Sequence, residues 1–186
     1  MQYTYRILTS NINGIESHNR IRMLEEFVHR HDVDIAILQE VTDGDKLVCK
    51  GYHSTINIGT TGGGTAVLHN LNIQLHRLER IPSGRGTAVY FDDTCIVNIY
   101  APSDTAKRAE REDFFNSDII GLLPLKPTKL ILAGDFNCVI NNDCTGQRTC
   151  SRALERLING LQLKDAWDTE TNPHYAPTIR QPVLHV

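Results

Sequence analysis

Apolar and polar positions along this chain repeat with two different periods. From Tyr3 to Thr9 they alternate among β-forming residues, which predicts a strand running directly into the turn-forming Ser10-Asn-Ile-Asn-Gly14. Ile21, Leu24, Phe27 and Val28 then recur at helical spacing, with Arg20, Arg22, Glu25, Glu26 and Arg30 largely opposite, so an amphipathic helix comes next. It ends near His31-Asp32 and gives way to Val33-Asp-Ile-Ala-Ile-Leu-Gln-Glu40, a buried strand closed by a carboxylate. A strand, a helix and a strand make a crossover unit whose loops collect at one end of a sheet, which allows Asn11 and Glu40 to be neighbours.

Beyond Gly51 the pattern changes to short alternating runs separated by turn residues. Tyr52–Ile58, Gly64–His69, Ile73–Leu78, Arg85–Phe91 and Thr94–Tyr100 read as antiparallel pairs, with Asp92-Asp93 as a tight hairpin turn. Gly62-Gly-Gly64 lacks the lysine and subsequent helix of a phosphate-binding loop and reads as a turn. Asp104 is placed to cap a helix reaching about Leu123, and Pro124 and Pro127 end it. Leu130-Ile-Leu-Ala133 is an unbroken apolar run, which predicts a strand buried on both faces. If the chain stays extended past Gly134, Asp135 and Asn137 project to the same side. Ser151 is placed to cap a helix carrying Leu154, Leu157, Ile158 and Leu161 on one face, and a last strand candidate lies near Tyr175–Ile179. Neither repeats nor a linker interrupts the chain.

Composition narrows the class. At 186 residues, with 40% apolar and 22% charged positions, the chain has the size and balance of one soluble globular domain spanning residues 1–186. No stretch has the length of a signal peptide's apolar core or the roughly 20 apolar residues of a membrane helix. An intracellular protein, nuclear or cytoplasmic and not secreted, is expected, with no membrane association and no obligate protein partner. The net charge of −3 supplies no global field for nucleic acid, so any such partner must be held locally. Arg77, Arg80, Arg85, Lys107, Arg108, Arg111, Arg148 and Arg152 are the candidates, each equally readable as a solvated surface group. An odd set of cysteines (Cys49, Cys95, Cys138, Cys144, Cys150) without a secretion signal argues for reduced thiols. No two of them have the two-to-four-residue separation usual in zinc ligand pairs.

The chemistry gathers at strand ends. Asn11, Glu40, Tyr100 and the pair Asp135/Asn137 each come after an apolar run. A carboxylate there can take a proton from water or bind a cation, and an amide can hold a phosphate oxygen or that water. The same residue types also favour ordinary turns, so position alone leaves both meanings open.

The order of four segments decides between them. Thr9-Ser-Asn-Ile-Asn-Gly14, Ile37-Leu-Gln-Glu40, Asn98-Ile-Tyr-Ala-Pro-Ser103 and Ala133-Gly-Asp-Phe-Asn137 resemble the endonuclease/exonuclease/phosphatase (DNase I-like) superfamily, and most of all the endonuclease domain of non-LTR (LINE-type) retrotransposons. The stretch from Asp143-Cys-Thr-Gly146 through Ser151-Arg-Ala-Leu154 to Leu163-Lys-Asp-Ala-Trp167 is similar to the region after the Asp-Phe-Asn motif in such domains. The resemblance implies an α/β fold, a four-layered α/β sandwich of two central, mostly antiparallel sheets flanked by helices. It implies that Glu40 binds the divalent metal, Mg²⁺ or Mn²⁺, with Asn11 beside it. Asp135 would orient or activate the attacking water, while Asn137 and Tyr100 hold the scissile phosphate. The expected reaction is hydrolysis of a DNA phosphodiester, leaving a nick.

The family's closing Ser-Arg-Ile-Asp and Ser-Asp-His motifs have no counterpart before Pro182-Val-Leu-His-Val186, and His174 and His185 stand in no matching context. A domain incomplete at its C-terminus, lacking the last strands and impaired in activity, is therefore expected. Two alternatives accompany this expectation: a phosphomonoesterase or phosphoinositide phosphatase of the same fold, and a non-catalytic remnant that only binds nucleic acid.

Overall fold

The structure, a computed structural model, describes residues 4–14, 18–44, 46–60, 63–125, 129–138 and 150–166. The first strand, β1 (Ile7–Asn11), begins later than the alternation suggests and reaches Asn11 itself. Helix α1 (His18–Arg30) carries the chain back to β2 (Ile35–Gln39), which pairs with β1 in parallel, Asn11 opposite Gln39. β3 (Tyr52–Ile58) and β4 (Gly64–Asn70) complete an antiparallel extension, giving the order β1-β2-β4-β3.

The second sheet repeats this plan in reverse. β5 (Arg77–Arg80), β6 (Gly86–Phe91) and β7 (Thr94–Tyr100) are antiparallel, and β8 (Lys129–Asp135) joins β7 in parallel with Tyr100 opposite Asp135. β5 starts at Arg77, not at Ile73; Ile73 and Leu75 pack against the core between the sheets from a loop. The crossover helix between β7 and β8 is not uniform. A 3₁₀ turn at Thr105–Lys107, with Asp104 Oδ1 accepting from the Ala106 N–H at 2.8 Å, leads into α2 (Arg108–Asp113). A π-helical turn, Phe114–Asp118, then precedes α3 (Ile119–Leu122). α4 (Arg152–Gly160) opens on Ser151, whose Oγ accepts from the Leu154 N–H at 3.1 Å.

The alternation of side chains along each strand sorts these elements into four layers. In β2, Ala36 and Leu38 face Ile21, Leu24, Phe27 and Val28 of α1, while Ile35 and Ile37 face the second sheet. With Val67 of β4 beside them, they meet Val89, Phe91 and Ile96 there. On the far side, Ala88, Cys95, Val97 and Ile99 pack under Phe114, Phe115, Ile119, Leu154 and Leu157. Full burial of each such aliphatic or aromatic side chain contributes about 1.5–3 kcal/mol, so the layered order arises from the sequence's own alternation.

Three expectations are corrected. β8 is half-exposed along Leu130–Asp135, because it pairs only with β7 and is an edge strand among the described residues. Arg111 is buried, 1% exposed, with Nη1 donating to the Pro102 carbonyl at 3.0 Å, and is no surface contact for nucleic acid. Cys49, Cys95 and Cys138 are free thiols as expected, but Cys150 is disulfide-bonded. An odd count leaves at least one cysteine outside any intrachain pair and says nothing about the others. The strand candidate at Tyr175–Ile179, Arg148, His174 and His185 lie outside the described residues. Among the described residues, no helix is long and apolar enough to cross a membrane.

Below the rim where β1, β2, β7 and β8 end, the interface between the sheets turns polar. Gln39 Nε2 donates to Asn98 Oδ1 at 2.8 Å, and Asn98 Nδ2 donates to the carbonyls of Leu38 (2.9 Å) and Ala66 (3.0 Å). Thr65 and Thr87 share a hydroxyl hydrogen bond of 2.8 Å. Asn57 Nδ2 reaches the carbonyls of Ile81 and Gly86 at 3.1 and 2.9 Å. These residues stand in register, Gln39 and Asn57 flanking Thr65 in one sheet and Thr87 beside Asn98 in the other. They form a buried polar belt of hydrogen-bonded groups set side by side.

Candidate active site

The two parallel strand pairs end at the same rim, one from each sheet. Asn11 leaves β1 exposed, and its Nδ2 donates to Glu40 Oε1 at 2.7 Å and to Asp135 Oδ2 at 2.9 Å. Three of the five residues singled out from the sequence are thus in direct contact. Tyr100, 8% exposed, is the fourth: its hydroxyl interacts with Glu40, and its backbone is opposite Asp135. Burial, and then the charge of Glu40, push the Tyr100 hydroxyl above its ordinary pKa against the opposing pull of Arg85. Tyr100 therefore stays a neutral phenol and a hydrogen-bond donor at neutral pH.

Asn137 comes to the rim by a different route from the one expected. The strand stops at Asp135, and Asn137 adopts a left-handed backbone with φ +47°. Its N–H caps Asp135 Oδ1 at 3.1 Å, and its Nδ2 donates to the Ala101 carbonyl at 2.9 Å. Asn137 is held beside Asp135 by a turn that asparagine tolerates, not by the two-residue period of a strand.

Glu40 is also held in a left-handed conformation, φ +58°, at a cost of about 1–2 kcal/mol for a residue of its kind. Flanking ladder bonds fix it there: the Gly14 N–H donates to the Glu40 carbonyl at 2.9 Å and the Val41 N–H to the Gly64 carbonyl at 3.1 Å. Gly134 has a related role under Asp135. At φ +136° it lets β8 approach β7 so closely that a Cβ there would lie 2.1 Å from the Ile99 carbonyl oxygen. Gly134→Ala is expected to cost about 1–3 kcal/mol of stability, read as a lowered midpoint in urea.

Sequence reasoning places neither of two further residues at the rim: Arg85 is read only as a candidate nucleic-acid contact, and Asn98 only as part of a motif. Arg85, 9% exposed, lies over the Tyr100 ring with its guanidinium carbon 4.8 Å from the centroid. Asn98 braces the belt directly beneath the rim. A lone amide inside Ile96-Val-Asn-Ile99 is the signal that marks it, since a buried polar residue in an apolar strand needs partners. Of the other basic candidates, Arg77 pairs with Glu79 and lies 5.0 Å over the Tyr90 ring, while Arg80, Arg108 and Arg152 are exposed.

Carboxylates, amides and a phenol converging where two sheets of an α/β sandwich meet define the DNase I-like class of phosphoester hydrolases. The chain belongs to the Endonuclease/Exonuclease/phosphatase family, whose model matches residues 8–181. Solved structures share its fold. An AP endonuclease from Archaeoglobus fulgidus superposes with a TM-score of 0.63 at 14% identity, over 86% of this chain and 70% of its own. The 3′ phosphatase NExo from Neisseria, bound to a product DNA hairpin, gives 0.65 at 21% identity, again over 86% and 70%. A truncated Caenorhabditis elegans TDP2 gives 0.58 at 18% identity, over 75% and 64%. No curated protein sequence matches the chain.

Enzymes of this family generally work with divalent metal ions. The residues fit such an ion in chemistry: Glu40 and Asp135 present carboxylate oxygens about a shared amide, a hard oxygen set suited to Mg²⁺ or Mn²⁺. Asn11 Oδ1 instead accepts from the Asn13 N–H at 2.9 Å. In this arrangement Asn11 ties the two carboxylates together through its nitrogen, and its oxygen would face them only after a rotation of the amide.

Proposed function

We propose that the protein is a metal-dependent, DNA-nicking endonuclease of the kind carried by non-LTR retrotransposons, acting inside the cell as a single catalytic domain. The observation that carries this is the Asn11 amide joining Glu40 of one sheet to Asp135 of the other. Glu40 and, after rotation, Asn11 would hold the divalent ion, which when bound would neutralise charge building on the phosphate and the leaving oxygen. Asp135 accepts a proton from the attacking water or orients it. Tyr100 donates its phenolic hydrogen to a non-bridging oxygen, and Asn137 has a second amide hydrogen to add once one is engaged by Ala101.

With Mg²⁺, the purified chain is expected to convert supercoiled plasmid to open circles, and chelation of the ion to stop it. A second activity, phosphomonoester hydrolysis, has support of its own, since one structure of this fold is named a 3′ phosphatase. Faster phosphate release from a 3′-phosphorylated oligonucleotide or an inositol phosphate than plasmid nicking would favour it. Salt-sensitive DNA binding without cleavage of any of these would point to a non-catalytic remnant.

A further inference from the structure

At the far end of the first sheet from Glu40, a second group of ligating side chains converges. β2 and β3 both run antiparallel to β4, with Gln39 opposite Thr65 and Tyr52 opposite Asn70, so the entry to β3 is remote from the rim. Glu25 and His29 are four residues apart in α1 and therefore share one face. Cys49, in the segment leading into β3, completes the set: a carboxylate oxygen, an imidazole nitrogen and the thiol sulfur all lie within 4.8 Å of one another. Among the described residues, no other trio of His, Cys, Asp or Glu side chains meets that criterion.

We propose that Glu25, His29 and Cys49 bind a zinc-class divalent ion that ties α1 to the entry of β3, independently of the carboxylates at the rim. Three protein ligands of mixed O, N and S type suit Zn²⁺ and leave a fourth tetrahedral position for water. A hard ion such as Mg²⁺ or Ca²⁺ has little use for a thiolate and an imidazole. Tetrahedral bonds of about 2.0–2.3 Å bring ligand atoms to roughly 3.5 Å from one another, so closure needs shifts of about 1 Å. The exposed His29 can supply most of that by side-chain rotation.

The surroundings already orient the ligands. The Lys50 N–H donates to Glu25 Oε1 at 3.0 Å, fixing one carboxylate oxygen and leaving the other to point elsewhere. The His29 ring meets Tyr52 edge to face, with centroids 5.6 Å apart, and the Tyr52 hydroxyl is anchored on the Val33 carbonyl. Burial, and then Glu25, hold the Cys49 thiol at about 11, which makes it a poor nucleophile at neutral pH. On coordination the thiol proton leaves to solvent and the sulfur binds as thiolate. A spacing rule applied to the cysteines alone does not reach this set, because its sequence-adjacent pair is Glu25 and His29.

The test is a titration of the full-length chain with Co²⁺, which reports a thiolate ligand by near-ultraviolet charge-transfer absorption, followed by displacement with Zn²⁺. One equivalent of Co²⁺ is expected to give the band and Zn²⁺ to remove it. Cys49→Ser should abolish the band. His29→Ala, a change at an exposed position that leaves the core intact, should weaken Zn²⁺ binding by about tenfold or more. Glu40→Gln should leave the band as it was. Absence of the band in the wild-type chain, its persistence in Cys49→Ser, or unchanged Zn²⁺ affinity in His29→Ala would overturn the proposal.

Discussion

Glu40→Gln is expected to lower the rate of plasmid nicking by about 10²–10⁴-fold, equivalent to about 3–5 kcal/mol of transition-state stabilisation. The substitution keeps the shape of the side chain and an oxygen for the Asn11 amide, so the contact at 2.7 Å can survive while the charge that would hold a cation is lost. Asp135→Asn is expected to fall in the same range, because it removes the proposed base beside Asn137 and keeps an oxygen for the turn that places it. Initial nicking rates, with circular dichroism to verify folding, are the measurement. A rate within twofold of the parent in either variant would take that carboxylate out of the reaction.

Asn98→Leu is expected to be the most destabilising of the substitutions considered, by about 3 kcal/mol or more. Asn98 makes three hydrogen bonds across the sandwich, to Gln39, Leu38 and Ala66, and is fully buried. Leucine is close in size, so lost volume is not the cause. The cost arises from the buried partners left behind, each worth about 1–3 kcal/mol when unsatisfied, reduced for Gln39 by its remaining contact with the Ile37 carbonyl at 3.2 Å. Urea denaturation monitored by circular dichroism reads the change directly. A loss below about 1 kcal/mol would mean that water or a shifted neighbour replaces the amide.

Much of this architecture is written in the alternation of residues. β3 and β7 have the bounds that the pattern predicts, and the β1-α1-β2 crossover brings Asn11 to Glu40 as the topology requires. Local pattern is less informative where partners decide the outcome. The apolar run of β8 reads as a doubly buried strand because hydrophobicity reports what a segment prefers, not how many neighbours it obtains. Arg111 reads as a surface cation because nothing near it in sequence reveals the Pro102 carbonyl that accepts it. Asn137 is misplaced when the chain is assumed to stay extended, since that residue takes a left-handed turn. The tie from Asn11 to Asp135 spans 124 positions, and only motif order hints at it before the fold is known.

The buried polar belt has a bearing on when the proposed nicking activity would arise. Asn11 and Glu40 come from one sheet and Tyr100, Asp135 and Asn137 from the other, so neither half alone holds more than a fragment of the proposed catalytic group. Amides and hydroxyls that must meet specific counterparts tolerate fewer offset dockings than greasy surfaces would. A newly made or thermally loosened chain whose sheets have yet to seat in register would therefore be inert, and cutting competence would arrive together with correct assembly.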